Sequence, residues 1–488
     1  MITRKCFVLV VGGVALSVLQ GCLQGKASSP AENTPLATTR PVMQQSDRAP
    51  NIIFILADDM GYGDLGCYGQ KNIKTPHLDR MATQGMRFTD FYTGSTVCAP
   101  SRCALMTGQH TGHAQIRGNG EKPLRPEDVI IPELLKKANY TTAMFGKWGL
   151  GMPNTTGTPQ RKGWDEYYGH VNHEQAHFQQ NPFLWEIKNG ETVKVNQPAG
   201  SYNNEAFTQK ALAFLDRQST KPFLMYLAFT IPHAELHTPD KYLKQYQDAS
   251  GKSLFQPEKP WPAGNHYGEQ PEPKAAYAAM VSQVDDYVGQ VLKKLDDKGL
   301  ADNTLVIFAS DNGTHIEGGR TQADVDYLYS AGPLRGVKRD MFDGGIRTPF
   351  IVRWPGHVKA VSTNGFVGAF YDVLPTLCNL TGTKPPANID GISFAPTLLG
   401  QKGQQNHPYL YWEFMERGFS RAVRSGSWKA VSLEPKQGQE EFFLFDLSKD
   451  LGEQTNVAAQ HPDVVAKMRK YMTEAHTNSE LFPPKYGQ

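Results

Sequence analysis

Two groups of residues in this sequence could act together in catalysis. The first group offers only oxygen atoms, from Asp58, Asp59, Asp311 and Asn312. The second offers positive charge or hydrogen-bond donors, from Arg102, Lys147, His233 and Lys338. Oxygen ligands suit a hard cation such as Ca²⁺ or Mg²⁺, and the donors suit a tetrahedral oxyanion. A zinc pair would require several histidines among the ligands, and the oxygen-donor group contains none. The residue types therefore predict a cation site beside an anion pocket.

A second chemical signal is the stretch VCAPSRCALMTGQH, which places Cys98 and Cys103 five residues apart. The spacing does not fit a CxxC redox pair, and Pro100 argues against a regular helix through Cys98. We interpret Cys103 as a small, buried packing residue. The stretch therefore predicts a site of another kind, centred on Cys98.

Four short apolar runs must position the polar residues. They are NIIFIL, YTTAMF, KPFLMYLAF and NTLVIFA, which lead into ADDMGYGDLGCYG, GKWGLG, TIPHAELH and SDNGTH. Runs that are apolar on both faces are typical of buried parallel strands. Helical spacing follows in TPHLDRMATQGMRF and in YAAMVSQVDDYVGQVLKKLDDKGL. The alternation predicts a doubly wound α/β sheet, which binds ligands at the carboxyl ends of its strands.

Any one of these strand ends has a structural explanation, because Asp, Asn and Gly commonly form turns. Four strand ends that all carry charged or polar groups are harder to explain by turns alone. We therefore expect these residues to converge on one rim, as follows: Asp58, Asp59, Lys147, His233, Asp311 and Asn312.

Length and charge limit the class of protein. A chain of 488 residues suffices for one large domain and a smaller one. The 50 lysines and arginines nearly balance the 48 acidic residues, which argues against a nucleic-acid partner but allows a local basic pocket.

The N-terminal sequence predicts a targeting segment. Arg4 and Lys5 precede CFVLVVGGVALSVL, which is too short and too rich in glycine to favour a membrane-spanning helix. The following LQGC resembles the lipobox of bacterial lipoproteins, which implies a signal peptide of residues 1–21 and lipidation of Cys22. An ordinary secretory signal is the alternative. Residues 22–49 predict a flexible tether. We expect a protein exported to the periplasm or cell surface and held on a bacterial membrane only by the lipid. The other cysteines show no disulfide framework in their spacing: Cys67, Cys98, Cys103 and Cys378.

The sequence around Cys98 also resembles a known family. Cys-Ala-Pro-Ser-Arg, from Cys98 to Arg102, matches the C-x-P-S-R signature of type I sulfatases, in the alkaline phosphatase superfamily. The resemblance extends, in the family's order, through IIFILADDMGYGDLGCYG, GKWGLG, SDNG, LRGVKRDMFDGGIRTPFIVRWPG and FDLSKDLGEQTNVA. It covers nearly the whole chain after Ala49, which makes coincidence a poor explanation.

The resemblance implies a fold and two domains. Residues 50–400 would form a catalytic domain with a large, mixed, mostly parallel sheet sandwiched by helices, as in alkaline phosphatase. Residues 401–488 would form a smaller α+β domain, in which YLYWEF, RAVRSGSWKAVSL and EEFFLFDL alternate like antiparallel strands. The segment HPDVVAKMRKYMTEAH would add a terminal helix.

The resemblance also implies that a separate maturation enzyme oxidises Cys98 to formylglycine (3-oxoalanine). A thiol that attacked sulfur would form an adduct without an easy exit. A hydrated aldehyde carries two hydroxyls on one carbon, so that one attacks the sulfate and the other expels it by reforming the aldehyde. Sulfate ester hydrolysis would then proceed through a covalent sulfo-enzyme intermediate.

The family's roles transfer to matching positions. One Ca²⁺, in preference to Mg²⁺, would be held by Asp58, Asp59, Asp311, Asn312 and the modified Cys98. Arg102 would stabilise the formylglycine hydrate, and Lys147 and Lys338 would neutralise sulfate oxygens. His233 would contact the bridging oxygen as general acid, and Asp311 would act as base for the attacking hydroxyl.

One position departs from the family pattern. Many members carry GKWHLG, in which the histidine helps to expel sulfate, whereas this chain has Gly149 there. Either the role is unfilled or another histidine supplies it. The following segment offers His170, His173 and His177, and we favour His177 because it is far enough along the chain to fold back. A sugar contact is the alternative role for His177.

The substrate side is less defined. Aromatic and histidine residues are frequent between Trp164 and Trp185, in HAELHTP with its His237, and in FQPEKPWPAGNHYGEQPEP. Such loops suit sugar rings, and His177 and His237 join Lys147, His233 and Lys338 as predicted substrate contacts. A sulfated saccharide is the expected substrate. An arylsulfatase, a related phosphomonoester or phosphonate hydrolase, and a catalytically silent lipoprotein that binds sulfated glycans remain alternatives. The sequence does not identify the sugar, the sulfated position, exo or endo action, or the oligomeric state.

Overall fold

The computed structural model describes residues 49–218, 220–435 and 438–484. The predicted signal peptide, the lipidation site at Cys22 and the tether up to residue 48 lie outside these ranges. Within the described ranges, no helix combines the length and the apolar character needed to cross a membrane.

The strands run in chain order as β1 Asn51–Asp58, β2 Met86–Phe88, β3 Phe91–Tyr92, β4 Thr141–Lys147, β5 Glu166–His170, β6 Phe183–Lys188, β7 Glu191–Asn196, β8 Phe223–Pro232, β9 Thr304–Ser310, β10 Phe350–Arg353, β11 Ser362–Asn364, β12 Gly368–Ala369, β13 Leu410–Phe414, β14 Gly418–Ser425, β15 Trp428–Pro435 and β16 Glu441–Asp446. The α-helices are α1 Pro76–Thr83, α2 Cys98–Thr107, α3 Ile131–Lys137, α4 Asn203–Asp216, α5 Asp240–Leu243, α6 Pro273–Asp297, α7 Gln322–Tyr327, α8 Asp343–Ile346, α9 Val373–Thr381, α10 Ala395–Leu398 and α11 Pro462–Glu474.

Ten strands form one large sheet, in the order β11-β2-β10-β9-β1-β8-β4-β5-β6-β7. The central five, β9, β1, β8, β4 and β5, are parallel to one another. Antiparallel pairs flank them on both sides, β10 with β9 and β6 with β5. The predicted mixed, mostly parallel sheet is confirmed.

Both faces of the large sheet are covered, which explains why its strands are apolar throughout. In β1, Ile53 and Ile55 pack into one core with residues of α4 and α6. Ile52, Phe54 and Leu56 point to the other face and pack with residues of α2, α3 and α9. Alternating residues of a strand face opposite sides, so a strand between two helical layers is apolar at every position.

Two local expectations were wrong. The predicted helix TPHLDRMATQGMRF ends at Thr83, and its last residues form β2, antiparallel to β10. A Cβ on Gly85 would lie 2.0 Å from the Val352 carbonyl oxygen, so glycine permits this close approach. Pro100 also does not prevent a helix, because it lies in the first turn of α2, where the backbone N–H groups have no intrahelical partner.

The predicted C-terminal sheet is present as the antiparallel order β13-β14-β15-β16. One of its faces packs against residues that flank α2 and α8, such as Val97 and Phe342, through Trp412 and Phe445. The other face packs against α11. The domain boundary predicted at residue 400 stays a prediction.

Candidate active site

The carboxyl ends of β1, β4, β8 and β9 meet, as the sequence predicted. Lys147 Nζ lies 2.7 Å from Asp58 Oδ2. The backbone N–H of Asp59 donates to Asp311 Oδ1 at 3.1 Å, with Asp59 in a left-handed conformation at φ +64°. Asn312 Nδ2 donates to Asp59 Oδ1 at 2.6 Å. The strands thus bring six predicted residues, His233 included, to one buried rim.

Cys98 occupies the first position of α2 and faces this rim. Its Sγ lies 3.3 Å from Asp58 Oδ1, and the residue is 1% exposed. Val97 before it is extended, so the chain enters the helix directly at the cysteine. Burial, and then the Asp58 carboxylate, raises the pKa of the Cys98 thiol well above its ordinary value. The unmodified thiol is therefore protonated at neutral pH.

Arg102 lies one turn further along α2, on the same side. Its Nε and Nη2 donate to Asp311 Oδ2 at 3.0 and 2.7 Å, and Nη1 donates to the Lys147 carbonyl at 2.8 Å. The four-residue spacing between Cys98 and Arg102 explains why both reach the rim, since residues i and i+4 share a helix face.

Lys338 joins the cluster from the loop before α8. Its Nζ donates to Asp59 Oδ2 at 2.7 Å and to His233 Nε2 at 2.7 Å. Nδ1 of His233 donates to the Ala234 carbonyl. These contacts fix the tautomer of His233: Nδ1 carries the ring proton, and Nε2 accepts a hydrogen bond from the Lys338 ammonium. Burial, which outweighs the nearby Asp59 charge, lowers the pKa of His233.

The charges in the cluster are balanced. Three carboxylates face the three cations Arg102, Lys147 and Lys338. Burial alone would raise the pKa of Asp58, but Lys147 and Arg102 hold it well below its ordinary value. Burial, and then the Asp58 charge, raises the pKa of Asp311 to about 6. A buried carboxylate with a raised pKa beside the candidate nucleophile suits a proton acceptor.

The oxygen-rich side fits a hard cation. Asp58, Asp59, Cys98 and His233 each offer a ligand atom within 4.8 Å of the others. Asn312 Oδ1 is buried and has no hydrogen-bond partner among the described residues. A buried amide oxygen without a donor, next to two carboxylates, is the kind of ligand that Ca²⁺ or Mg²⁺ takes. The residues present therefore fit the predicted ion.

Sequence reasoning missed Glu317 and Arg339. Glu317 Oε2 lies 3.4 Å from Lys338 Nζ and 3.6 Å from His233 Nε2, and its other oxygen accepts from Arg339. The available signals were weak: Glu317 stands five residues after Asn312, and Arg339 directly follows Lys338. Neither residue directly follows a predicted strand, so the pattern of polar residues at strand ends does not indicate them.

The two remaining predicted substrate contacts differ in position. The ring of His177 stacks on that of His233, with centroids 4.3 Å apart and planes 13° apart. His237 is exposed beside Glu235, with 3.8 Å between Nδ1 and Oε1, rather than buried in the cluster. The structure brings His177 to the rim but not His237.

The space beside Gly149 is filled by His173, not by the favoured His177. A Cβ on Gly149 would lie 2.3 Å from His173 Cε1. The physical reason is the pairing of β4 with β5, which continues as Trp148 N–H to the His170 carbonyl and Gly149 N–H to the Val171 carbonyl. The chain that leaves β5 therefore turns over Gly149 within three residues.

Comparison with known proteins agrees with this geometry. The sulfatase family model matches residues 50–383, and the model "N-sulphoglucosamine sulphohydrolase, C-terminal" matches residues 337–478. The N-acetylgalactosamine-6-sulfatase of Mus musculus is 33% identical over 424 residues, which are 80% of this chain and 74% of that protein. The N-acetylgalactosamine-6-O-sulfatase of Bacteroides thetaiotaomicron is 28% identical over 89% of this chain and 94% of its own length. The crystal structure of Ps i-CgsB matches with a TM-score of 0.73 and 28% identity, over 90% of this chain and 95% of that one. The chain therefore belongs to the sulfatase family and is a sulfuric ester hydrolase.

Proposed function

We propose that the protein removes sulfate from sulfated saccharides with a formylglycine that a maturation enzyme makes from Cys98. The position of Cys98 carries this proposal, since its side chain lies against Asp58 inside the buried cluster. A thiol held protonated by burial is a weak nucleophile. A hydrated aldehyde at the same position supplies one hydroxyl to attack sulfate and a second to release it.

Lys147 and Lys338 would bind and orient the sulfate, and Arg102 would stabilise the formylglycine hydrate. Lys147 and Lys338 are held by Asp58 and Asp59 at 2.7 Å each, so their ammonium groups are fixed before substrate arrives. Arg102 is fixed by two hydrogen bonds to Asp311. Preorganised charges of this kind stabilise charge that develops in the transition state.

The Lys338–His233 pair would protonate the leaving oxygen. His233 accepts from the Lys338 ammonium, so the pair as a unit holds the proton that the leaving group needs. The Ala234 carbonyl fixes the orientation of the imidazole. Asp311, whose pKa burial raises to about 6, would take the proton of the attacking hydroxyl.

Asp58, Asp59, Asp311 and Asn312 would hold Ca²⁺ together with residue 98. When bound, the ion would hold a sulfate oxygen and favour the deprotonated hydroxyl. The unpartnered Asn312 Oδ1 supports this assignment.

The substrate side suits a saccharide. Next to His233, the rings of His177, Tyr267 and Phe178 form an aromatic wall. Tyr267 and Glu317 also line an open cavity of about 350 Å³, together with Trp261 and His266. Aromatic faces with scattered polar groups suit sugar rings. The relatives named as N-acetylgalactosamine-6-sulfatases, and a Ps i-CgsB structure in complex with k-i-k-neocarrahexaose, support the same substrate class.

The cellular location is part of the proposal. The sequence of residues 1–22 supports export and a lipid anchor at Cys22, so the enzyme would act at the periplasmic or outer face of a bacterial membrane. Globomycin treatment of expressing cells, followed by the mass of the N-terminal peptide, tests this location. An N-terminal peptide whose mass shows no lipid would indicate an ordinary secretory signal and no lipid anchor.

The decisive experiment is turnover on a panel of position-defined sulfated saccharides, with nitrophenyl sulfate and nitrophenyl phosphate as comparison substrates. We expect the highest kcat/KM on one sulfated saccharide and little on the phosphate. Higher kcat/KM on nitrophenyl sulfate would favour an arylsulfatase, and higher turnover of phosphate would favour a phosphomonoester hydrolase. Binding of sulfated saccharides without any turnover would favour the silent lipoprotein.

A further inference from the structure

A buried imidazole lies beside Lys147, where the backbone leaves room for it. Gly149 has φ +73° and no side chain, and a Cβ there would lie 2.3 Å from Cε1 and 2.7 Å from Nε2 of His173. His173 is 6% exposed. The imidazole of His173 therefore occupies the volume that a side chain at position 149 would fill.

The hydrogen bonds of His173 identify its free nitrogen. Nε2 lies 3.1 Å from the Gly149 carbonyl oxygen, which can only accept, so Nε2 carries the ring proton. Nδ1 then has an unshared lone pair, and it is buried without a hydrogen-bond partner among the described residues. Burial, and then the charges of Lys147 and Arg102, holds the pKa of His173 well below its ordinary value, which keeps the ring neutral. The geometry thus leaves the Nδ1 lone pair of a neutral imidazole available to accept a proton from a neighbouring hydroxyl.

The backbone of His173 is also held in place. Its N–H donates to the Glu121 carboxylate at 2.9 Å, three residues after the chain leaves β5. The ring is thus fixed at its backbone by Glu121 and at Nε2 by Gly149. Nδ1 is therefore a buried polar atom in a fixed position whose lack of a partner among the described residues calls for an explanation.

We propose that His173 accepts a proton in the step that frees sulfate from residue 98, in place of a side chain at position 149. The proposal rests on the proposed formylglycine. After sulfate transfer, one carbon of residue 98 carries a hydroxyl and a sulfate ester. The O–H bond breaks, its proton moves to His173 Nδ1, and its electron pair forms the aldehyde C=O bond. The C–O bond to sulfate breaks, and its electron pair leaves on sulfate. Water then adds to the aldehyde, and His173 returns its proton to solvent.

His177 is less suited to this step. Its ring stacks on that of His233, the residue proposed to protonate the leaving oxygen, and it also approaches Tyr267. Both contacts place it on the sugar side of the rim, whereas His173 lies against the backbone that follows Lys147. The two histidines therefore predict different kinetic effects.

The test compares His173→Gln with the unchanged enzyme on an active sulfated substrate. Glutamine keeps an N–H that can donate to the Gly149 carbonyl but has no basic nitrogen. We expect kcat to fall by about 10²-fold or more, with a burst of one equivalent of desulfated product per enzyme. Acid quenching should trap enzyme whose intact mass exceeds that of the formylglycine hydrate by one SO₃ group.

Two further variants separate a base from a structural part. His173→Ala removes the imidazole that fills the space beside residue 149. Adding Gly149→His to this variant places an imidazole in the same space, now attached at position 149. We expect the double variant to lose the trapped adduct and to recover part of kcat. His177→Ala should instead raise KM and give no trapped adduct.

The outcomes distinguish this inference from the proposed function. Peptide mass spectrometry of the same samples reports whether residue 98 is formylglycine, and Cys98→Ala should give no adduct. If formylglycine is absent from the active enzyme, the proposed function fails. If formylglycine is present but His173→Gln keeps full kcat without an adduct, the inference on His173 is wrong and the proposed function stands. Accumulation of the adduct in His177→Ala alone would assign the role to His177.

Discussion

At the scale of single residues, the site depends on the charge state of residue 98. Its side chain sits within hydrogen-bond reach of Asp58, and burial keeps an unmodified thiol protonated. The three cations around it are each held by a carboxylate, so modification of residue 98 is what would supply the nucleophile.

Cys98→Ala should abolish turnover and leave the fold intact. The side chain is small and lies at the rim, so its loss removes the nucleophile without opening a large core cavity. Cys103→Ala is the matched control, because Cys103 is buried in the core five residues later. We expect it to keep turnover and to lose about 1 kcal/mol of stability. Sulfate release and thermal unfolding measure both effects. Full activity in a sample whose peptide mass shows only cysteine at position 98 would contradict the mechanism.

Removal of the metal should stop turnover before it stops binding. We expect one Ca²⁺ per chain by metal analysis, and loss of kcat on treatment with EGTA that added Ca²⁺ restores. Asp59→Asn should lower metal content and kcat, while Lys147 and Arg102 keep an excess of positive charge for the sulfate. Stoichiometric zinc, with activity lost only to a zinc-selective chelator, would contradict this prediction.

The sequence predicted the rim because a strand end fixes where its next residue lies. Asp58, Lys147 and Asp311 end or follow parallel neighbours, so their convergence follows from the sheet alone. The position of His173 could not be predicted in the same way. It depends on the register of β4 with β5 and on how the loop turns afterwards, which no periodicity in the sequence reports.

At the scale of elements, glycines let strands β4 and β8 pack at the rim. Gly146 has φ +115°, and a Cβ there would lie 1.8 Å from the Ala228 carbonyl oxygen in β8. Gly146 directly precedes Lys147, so the close approach sets where the ammonium group lies. The apolar run YTTAMF predicts strand β4, but the close contact with Ala228 follows only from the register of β4 with β8, which the sequence pattern does not give.

Gly146→Ala should therefore separate β4 from β8 and displace Lys147. We expect at least about a 10²-fold loss of kcat/KM, because a shift of about 1 Å near a catalytic group has that effect. Gly190→Ala is the control: φ is +81°, but no heavy atom lies within 4 Å of the added Cβ. It should cost about 1 kcal/mol and leave kcat/KM unchanged. Equal effects of the two variants on activity would show that the contact with Ala228 does not position Lys147.

At the scale of the whole molecule, the C-terminal sheet supports the loops that carry the site. Trp412 Nε1 donates to the Thr93 carbonyl at 2.8 Å, just before the stretch that contains Cys98. Arg117 Nη1 lies 2.8 Å from Glu413 Oε1, with both side chains buried. These contacts could not be predicted from strand patterns, because they join residues about 300 positions apart.

The strongest such link is a buried lysine between two carboxylates. Lys429 Nζ in β15 lies 2.6 Å from Asp343 Oδ1 and 2.8 Å from Glu453 Oε1, and all three side chains are fully buried. Asp343 starts α8, five residues after Lys338. Lys429 thus links the C-terminal sheet to the segment that carries Lys338.

Lys429→Met should destabilise the protein by about 3–5 kcal/mol, because it removes the cation that faces the buried Glu453 and leaves that carboxylate next to Asp343, which keeps Arg347 as its partner. The loss should depend on pH in a defined direction. Burial raises the pKa of Glu453 to about 7 even with Lys429 present, and without the lysine the folded state binds this proton more tightly still. The folded state then holds protons that the unfolded chain releases, so the deficit should be smaller near about pH 5 than near about pH 8.

Denaturant unfolding at the two pH values measures this, with Lys449→Met as control because Lys449 is exposed beside Asp446. The control should change stability by less than about 1 kcal/mol. A deficit that is equal at both pH values would mean that the carboxylates reach water when the lysine is lost.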